Sequence, residues 1–477
     1  MSKRSAPAGP AAFDDNTLTF SLRMGRRPRA AAFLIDVSAH SLGRDMRTTP
    51  SRVLLALILA SGLAGTAVCS AADAPAPAAS QPANAVRPEF ATPLNAAQQL
   101  IKDGKGPEAL VKLKEVAAVP NPSPFEQYLL LRVRGQAEYA ALDKASAATD
   151  FEAALASPQL PLEDRKPLSR VLIQLYYETS QYDKAIAWID KYQAANGKDA
   201  TLDEMLAQCQ YLNKDYPSAA KSYATLIDAE YAAGKVPTEK RLRVLHSAQA
   251  LSNDTAGDQK TIERLAVSYP KDEYWQSLVS HAAHVEKLSD RQYLEVYRLK
   301  AAINGQVSND DRLSFAALAA RAGYPSEAKR LLDDGIAKKA FAGPELGEAQ
   351  KLLPSVTRAA AQDKAQGAAN ETAARSSKDG NAAASLGMLD TIDGNAQQGA
   401  ALISLGLEKG GLKFPDEARL HLGIAQYGAG QLPEAQKSFQ AATNASGIGQ
   451  IAHVWALFVQ SKLQPAAAPA TAAAASK

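Results

Sequence analysis

The side chains with chemistry to offer are few, and their spacing is poor for catalysis. His281 and His284 are three residues apart, so a helix would set both on one face, where Glu286 or Asp290 could help to hold a metal ion. A third ligand at a convincing spacing is missing, which favours solvated or groove-lining imidazoles, and neither metal nor cofactor is expected. The doublets Asp310-Asp311 and Asp333-Asp334 fall near expected helix ends, where carboxylates at an N-terminus complement the helix dipole. Of the two cysteines, Cys69 follows an apolar run, and Cys209 sits on the apolar side of Glu204-Met205-Leu206-Ala207-Gln208-Cys209, as a buried structural thiol would. The chain contains no Walker-type phosphate loop, dinucleotide fingerprint, Gly-x-Ser-x-Gly elbow or His-Glu-x-x-His. Catalysis is therefore not expected.

A second group of residues suits binding. Tyr176, Tyr177, Tyr182, Trp188, Tyr192, Tyr211, Tyr216 and Tyr223 crowd into one stretch. Most should pack between helices, while a minority, with Tyr139, Tyr176, Tyr177 and Tyr211 as the candidates, could line a groove that grips a peptide or helix.

The elements that must position these rings are helical. Apolar residues make up 46% of the chain and aromatics only 6%, with Ala dominant and strand signals almost absent. A length of 477 residues exceeds one ordinary compact core, so several domains or an elongated array are implied. A helix-hairpin pattern recurs. Leu422-Gly423, Tyr427, Gly430, Ala435, Phe439 and Ala442 form its best example, preceded by Leu386-Gly387, Gly394, Gly399, Ile403 and Gly406. Earlier come Gly135, Tyr139, Ala147, Phe151 and Ala154; then Leu172, Tyr176, Tyr182, Ala185 and Ile189; then Ala219 with Tyr223, and Gly323, Ala328 and Leu332. Pro217, Pro325 and Pro433 each open a second helix, where the missing N–H costs nothing. Weaker units lie at 95–117, 242–268 and 275–300.

These units resemble the tetratricopeptide repeat (TPR), a hairpin of about 34 residues with small residues where its two helices touch. The resemblance implies an all-α, TPR-like α-solenoid of about seven to nine antiparallel helix hairpins. Ser268 to Val279, Tyr293 to Ala302 and Glu408 to Gln431 further resemble tetratricopeptide proteins exported to the periplasm of proteobacteria, some of them linked to energy-transducing transport in the envelope.

The N-terminal region fits export. From Met46 a basic segment with Arg47 and Arg52 leads into the apolar run Val53 to Gly65 and the small-residue exit Ser70-Ala71-Ala72, the grammar of a signal peptide over 46–72. Lipidation at Cys69 is an alternative, although Thr66-Ala67-Val68 lacks the usual Leu and the small residue before the cysteine; retention of 53–68 as an anchor is another. Residues 1–45 show no periodicity and read as a spurious or disordered extension if translation starts at Met46. Residues 1–72 hold nine of the 53 basic and four of the 50 acidic side chains, so the remainder carries 44 basic against 46 acidic. That balance offers no footprint for nucleic acid.

The expected organisation is a Pro/Ala linker over 73–90, an N-terminal array over 91–354, an Ala-rich helix or hinge with a soft boundary over 355–381, a C-terminal tandem with a capping helix over 382–463, and a disordered tail over 464–477. The expected function is a non-catalytic periplasmic scaffold or adaptor for protein or peptide partners of the cell envelope, with no stable membrane span after processing. The alternatives are an accessory subunit of an envelope polysaccharide or transport system that binds a glycan or small molecule, and an outer-membrane assembly lipoprotein.

Overall fold

The computed structural model describes residues 85–284, 287–442 and 447–464. The extension, signal peptide, most of the linker and the tail after Gln464 lie outside these residues. Among them stand twenty α-helices and no strand. The chain divides into two compact units, the described parts of which are 85–255 and 256–464.

The first unit contains α1 (Pro88–Lys102), α2 (Gly106–Ala117), α3 (Pro124–Ala140), α4 (Lys144–Ala156), α5 (Leu162–Glu178), α6 (Tyr182–Asn196), α7 (Ala200–Leu212), α8 (Tyr216–Ala232) and α9 (Glu239–Leu251). The second contains α10 (Thr255–Ser268), α11 (Asp272–His284), α12 (Asp290–Asn304), α13 (Asn309–Arg321), α14 (Pro325–Ala337), α15 (Pro344–Ser376), α16 (Asn381–Ile392), α17 (Ala396–Lys409), α18 (Pro415–Gly428), α19 (Leu432–Ala441) and α20 (Ile448–Leu463). Consecutive helices pack as antiparallel pairs, as the sequence predicts.

One register governs seven hairpins. A buried residue on the first helix precedes by 16 positions a buried large one on the second: Ala97 and Leu113, Gly135 and Phe151, Ile173 and Ile189, Ala207 and Tyr223, Ala316 and Leu332, Gly387 and Ile403, Gly423 and Phe439. Six of the seven first positions are Ala or Gly. At Gly135 a Cβ would stand 2.7 Å from the Phe151 ring, and at Gly423 2.6 Å from Phe439. Seven residues after the small position each hairpin turns through a left-handed residue: Gly104, Leu142, Ser180, Lys214, Gly323, Gly394 and Gly430. At the next residue an amide reaches back across the helix end, as Asp143 N–H does to the Glu138 carbonyl at 2.9 Å and Gln431 N–H to Gln426 at 2.8 Å. In five of the seven hairpins the second helix then starts on Asp143 or Asp215 as N-cap, or with Pro in its first turn.

The helix starts are fixed by further caps. Ser123 and Glu126 form a reciprocal capping box. Glu126 also accepts three bonds from the Arg87 side chain at 2.9–3.3 Å, and that guanidinium holds its carboxyl down to about 2. Folded structure therefore begins slightly before the linker boundary expected at residue 90, since Phe90 is fully buried on α1.

The stretch 355–381, expected as an Ala-rich helix or hinge, falls on the 33-residue helix α15 and the turn after it, inside the second unit, while the two units divide at Thr255 and Ala256. The helix packs through Ala349, Val356 and Ala374, and Lys409 Nζ donates to the carbonyls of Ala374, Arg375 and Ser377 at 2.7–3.1 Å, fastening its end. The second unit also returns on itself. His421 of α18 bonds Glu295 of α12 at 3.0 Å, Arg291 pairs with Glu417 at 2.5 Å, and Phe458 of α20 meets Trp275 of α11 edge-on at 5.6 Å. The expected capping helix is thus α20, stacked through Trp455 on Phe439 and packed against α11 and α12 as well as α19.

Two substitutions check the register. Gly423→Ala should lower stability by about 1–3 kcal/mol in chemical denaturation, because the Phe439 ring has no room to yield. Leu142→Gly should raise it by about 1 kcal/mol, because Leu142 is 81% exposed and holds a left-handed φ of 66°.

Candidate binding face

Three of the four candidate tyrosines share one register position. Tyr139, Tyr177 and Tyr211 each lie four residues after the small position of α3, α5 and α7, near the hairpin turn, and all three are half-buried. The same helix stripe carries Arg132 and Gln136, Arg170 and Gln174, and Glu204 and Gln208, since positions three and seven residues back share the face. The first helices of successive hairpins are tied along this stripe. Tyr177 Oη donates to Gln208 Oε1 at 3.1 Å, and Tyr211 Oη shares a 2.8 Å bond with Ser247 Oγ on α9. Arg132 pairs with Asp164 at 3.0 Å, Arg170 with Asp199 at 2.7 Å and Arg241 with Glu204 at 2.6 Å.

Tyr176 is the exception and a correction to the candidate set. One residue out of register, it turns about 100° away from the stripe. It is 1% exposed, and its hydroxyl donates to Glu152 Oε2 at 2.5 Å, so it is a core side chain unavailable to a partner. Burial and the adjacent Glu152 carboxylate push its phenol well above the ordinary range.

Two ring residues belong to this face that the sequence reading left among the packing aromatics. Tyr182 meets Tyr177 edge-on at 6.1 Å, and Tyr216 meets Tyr211 at 5.6 Å. Each is the first residue of a second helix, five positions after its partner. That repeated spacing was the available signal. In the Tyr139 hairpin the equivalent position is Lys144, which pairs with Glu178 on α5 at 2.7 Å. The result is a ladder of three rungs in which rings are fixed and charges are matched.

The other chemistry-bearing residues are accounted for separately. His284 turns its Nδ1 to the Ser280 carbonyl of its own helix at 2.7 Å, and Asp290 pairs with Arg321 at 2.7 Å; Glu286 is outside the described residues. His281 instead borders a cavity of about 360 Å³ in the second unit with Gln259, Glu263, Gly449, Gln450 and His453. There His453 Nε2 stands 3.1 Å from Glu263, whose hydrogen bond raises the imidazole above its ordinary range. Among the described residues no three His, Cys, Asp or Glu side chains are placed to hold a metal ion, and no helix is long and apolar enough to cross a membrane. Asp311 is capped by Ser308 and paired with Lys300, while Asp333 pairs with Lys329 and Asp334 with Arg312 and Lys338. Cys209 is fully buried, and burial pushes its thiol up to about 12.

No protein-family profile matches the chain, and no curated protein does. Solved structures that it resembles include a tetratricopeptide repeat protein from Parabacteroides merdae, at 11% identity over 71% of this chain and 99% of that one, with a TM-score of 0.27. Naa15/Naa10 bound to HypK-THB is similar at 14% identity over 74% of this chain and 58% of that chain, with a TM-score of 0.30. The TPR domain of P58(IPK) is similar at 14% identity over 79% and 100%, with a TM-score of 0.17. Nothing about this chain's partner is carried over from them.

Glu138, beside the first rung, supplies a test of the face's electrostatics. Arg134 grips Asp150 with two bonds of 2.5 and 2.6 Å and leaves Glu138 at 3.9 Å, with its Oε2 buried and unpaired. Burial, and then the Asp150 charge, push the Glu138 carboxyl up to about 7. The folded chain therefore holds this proton more tightly than the unfolded one, so the contribution of this carboxyl to stability is fully present below about pH 4.5 and is lost as pH rises to 7. Glu138→Gln should match the parent at pH 5 and exceed it by about 2–3 kcal/mol at pH 8 in urea unfolding.

Proposed function

We propose that this chain is a non-catalytic scaffold of the cell envelope, working in the periplasm and holding a protein or peptide segment against the tyrosine ladder of its first unit. The carrying observation is the repetition of half-buried Tyr139, Tyr177 and Tyr211 at one register position, with two rungs doubled by Tyr182 and Tyr216. Amphipathic rings that are already immobilised lose little entropy on binding and rank among the strongest interface anchors. Export rests on the signal-like segment 46–72.

A photo-crosslinking amino acid placed at Tyr182 or Tyr216, with exposed Lys221 on α8 as the control, checks the face in living cells. The expected result is a defined envelope protein captured from 182 and 216 and not from 221. Capture from all three alike, or retention of glycan with no protein, overturns the reading. Mass spectrometry of the same material reads the N-terminus: Asp73 is expected, a lipidated Cys69 would assign the lipoprotein alternative, and an intact 1–72 would remove export.

A further inference from the structure

We infer that the closure of the second unit is pH-responsive: two histidine–glutamate pairs clasp its last helices to its first ones, gripping while the imidazoles are protonated and slackening when they lose that proton. The inference concerns the second unit alone and does not depend on which partner the first unit holds.

Both histidines stand where the unit returns on itself. His421 of α18 bonds Glu295 of α12 at 3.0 Å, and His453 of α20 bonds Glu263 of α10 at 3.1 Å. Each pair therefore ties the helices after α15 to the helices before it. An imidazole on a carboxylate is an ion pair only when protonated, and histidine is the side chain whose charge ordinarily changes between about pH 5 and 8. The neighbouring tie, Arg291 with Glu417 at 2.5 Å, keeps its guanidinium charged throughout.

The charges around each imidazole decide what its proton does. Facing His421 are Glu295 of α12, Glu417 of its own helix at 4.0 Å, and the Tyr324 ring edge-on at 6.4 Å. Arg298 of α12 joins Glu295 to Glu327 of α14, and Arg291 stands on Glu417. Three carboxylates thus meet two guanidiniums, and the imidazolium supplies the missing positive charge. His421 is buried, so solvent screens that charge little, and Glu295 Oε2 is buried with no hydrogen-bond partner among the described residues. Removing the proton leaves a buried carboxylate short of a cation, which is costly.

Facing His453 around the cavity are Glu263 and Gln259 of α10, His281 of α11 and Gln450 of its own helix. The Glu263 bond raises this imidazole above its ordinary range. A proton held more tightly in the folded chain contributes stability that is fully present below about pH 6.5 and is lost as pH rises through the folded value. The His453 side chain is 43% exposed, against 6% for His421, so its pair is the weaker of the two. Closure is therefore tightest in mild acid and loosest in mild alkali.

The test is hydrogen–deuterium exchange of the mature full chain at pH 6 and pH 8, corrected for the intrinsic exchange rate at each pH and read on α12 and α20. Protection of these helices should fall at least fivefold from pH 6 to pH 8. The double variant His421→Gln, His453→Gln keeps an amide donor at each position but no titrating charge, and should change less than twofold. Arg291→Met should lower protection at both pH values and keep the fivefold ratio, since the cation it removes does not titrate. Equal protection of the parent chain at the two pH values overturns the inference without recourse to any variant. A fivefold fall that survives in the double variant overturns it as well. Imidazole NMR titration of the parent chain guards against a variant that fails to fold: the loss of protection should share its midpoint with His421 or His453, and a midpoint shared with neither overturns the inference.

Discussion

The close approach of the two helices in each hairpin is the constraint from which the rest follows. A buried aromatic or aliphatic side chain on the second helix needs a near-absent side chain opposite it, and Gly135 under Phe151 and Gly423 under Phe439 are the sharpest cases. Once that contact is made, the turn between the helices has a fixed length and must pass through a left-handed residue. The amide of the next residue then closes the first helix. Every other regularity is measured from this point, including the tyrosines four residues along and the rings that open the second helices. The register also holds at Ile173, where a large buried residue replaces the small one.

Legibility in the sequence follows the chemistry of that constraint. Gly423 with Gly430, and Gly387 with Gly394, announce both the contact and the turn. Leu142, Ser180 and Lys214 occupy the same left-handed position without a residue type that signals it, so those turns were visible only through Asp143, Asp215 and the periodicity on either side. The packing of the alanine-rich stretch 355–381 was not legible, because small side chains look unpartnered in sequence although they can pack closely, and a distant Lys409 caps the helix. Contacts such as His421 with Glu295 join residues 126 positions apart and leave no periodic trace.

The charges behave consistently. In the second unit Arg298 is buried between Glu295 and Glu327 at 2.5 and 2.6 Å, lies 4.4 Å from the centre of the Tyr324 ring, and stays firmly protonated despite its burial because the carboxylates favour the cation. Buried ion networks of this kind specify which surfaces meet more than they add net stability. The pairs Arg291–Glu417 and His421–Glu295 join α12 to α18 in the same way.

The distinction between Tyr176 and Tyr177 carries the functional argument furthest. The two are adjacent and chemically identical, and sequence placed both at the binding face. One step of 100° sends Tyr176 into the core with its hydroxyl on Glu152, and leaves Tyr177 at the surface with its hydroxyl on the next hairpin. A phenol free at both ends would be mobile and would pay for its ordering when a ligand arrived. Tyr177 and Tyr211 are held at the polar end and half-buried against a second ring, so the hydrogen bond that stitches one hairpin to the next also orients the face proposed to meet a partner. Stability between repeats and readiness to bind are, on this face, consequences of the same bond.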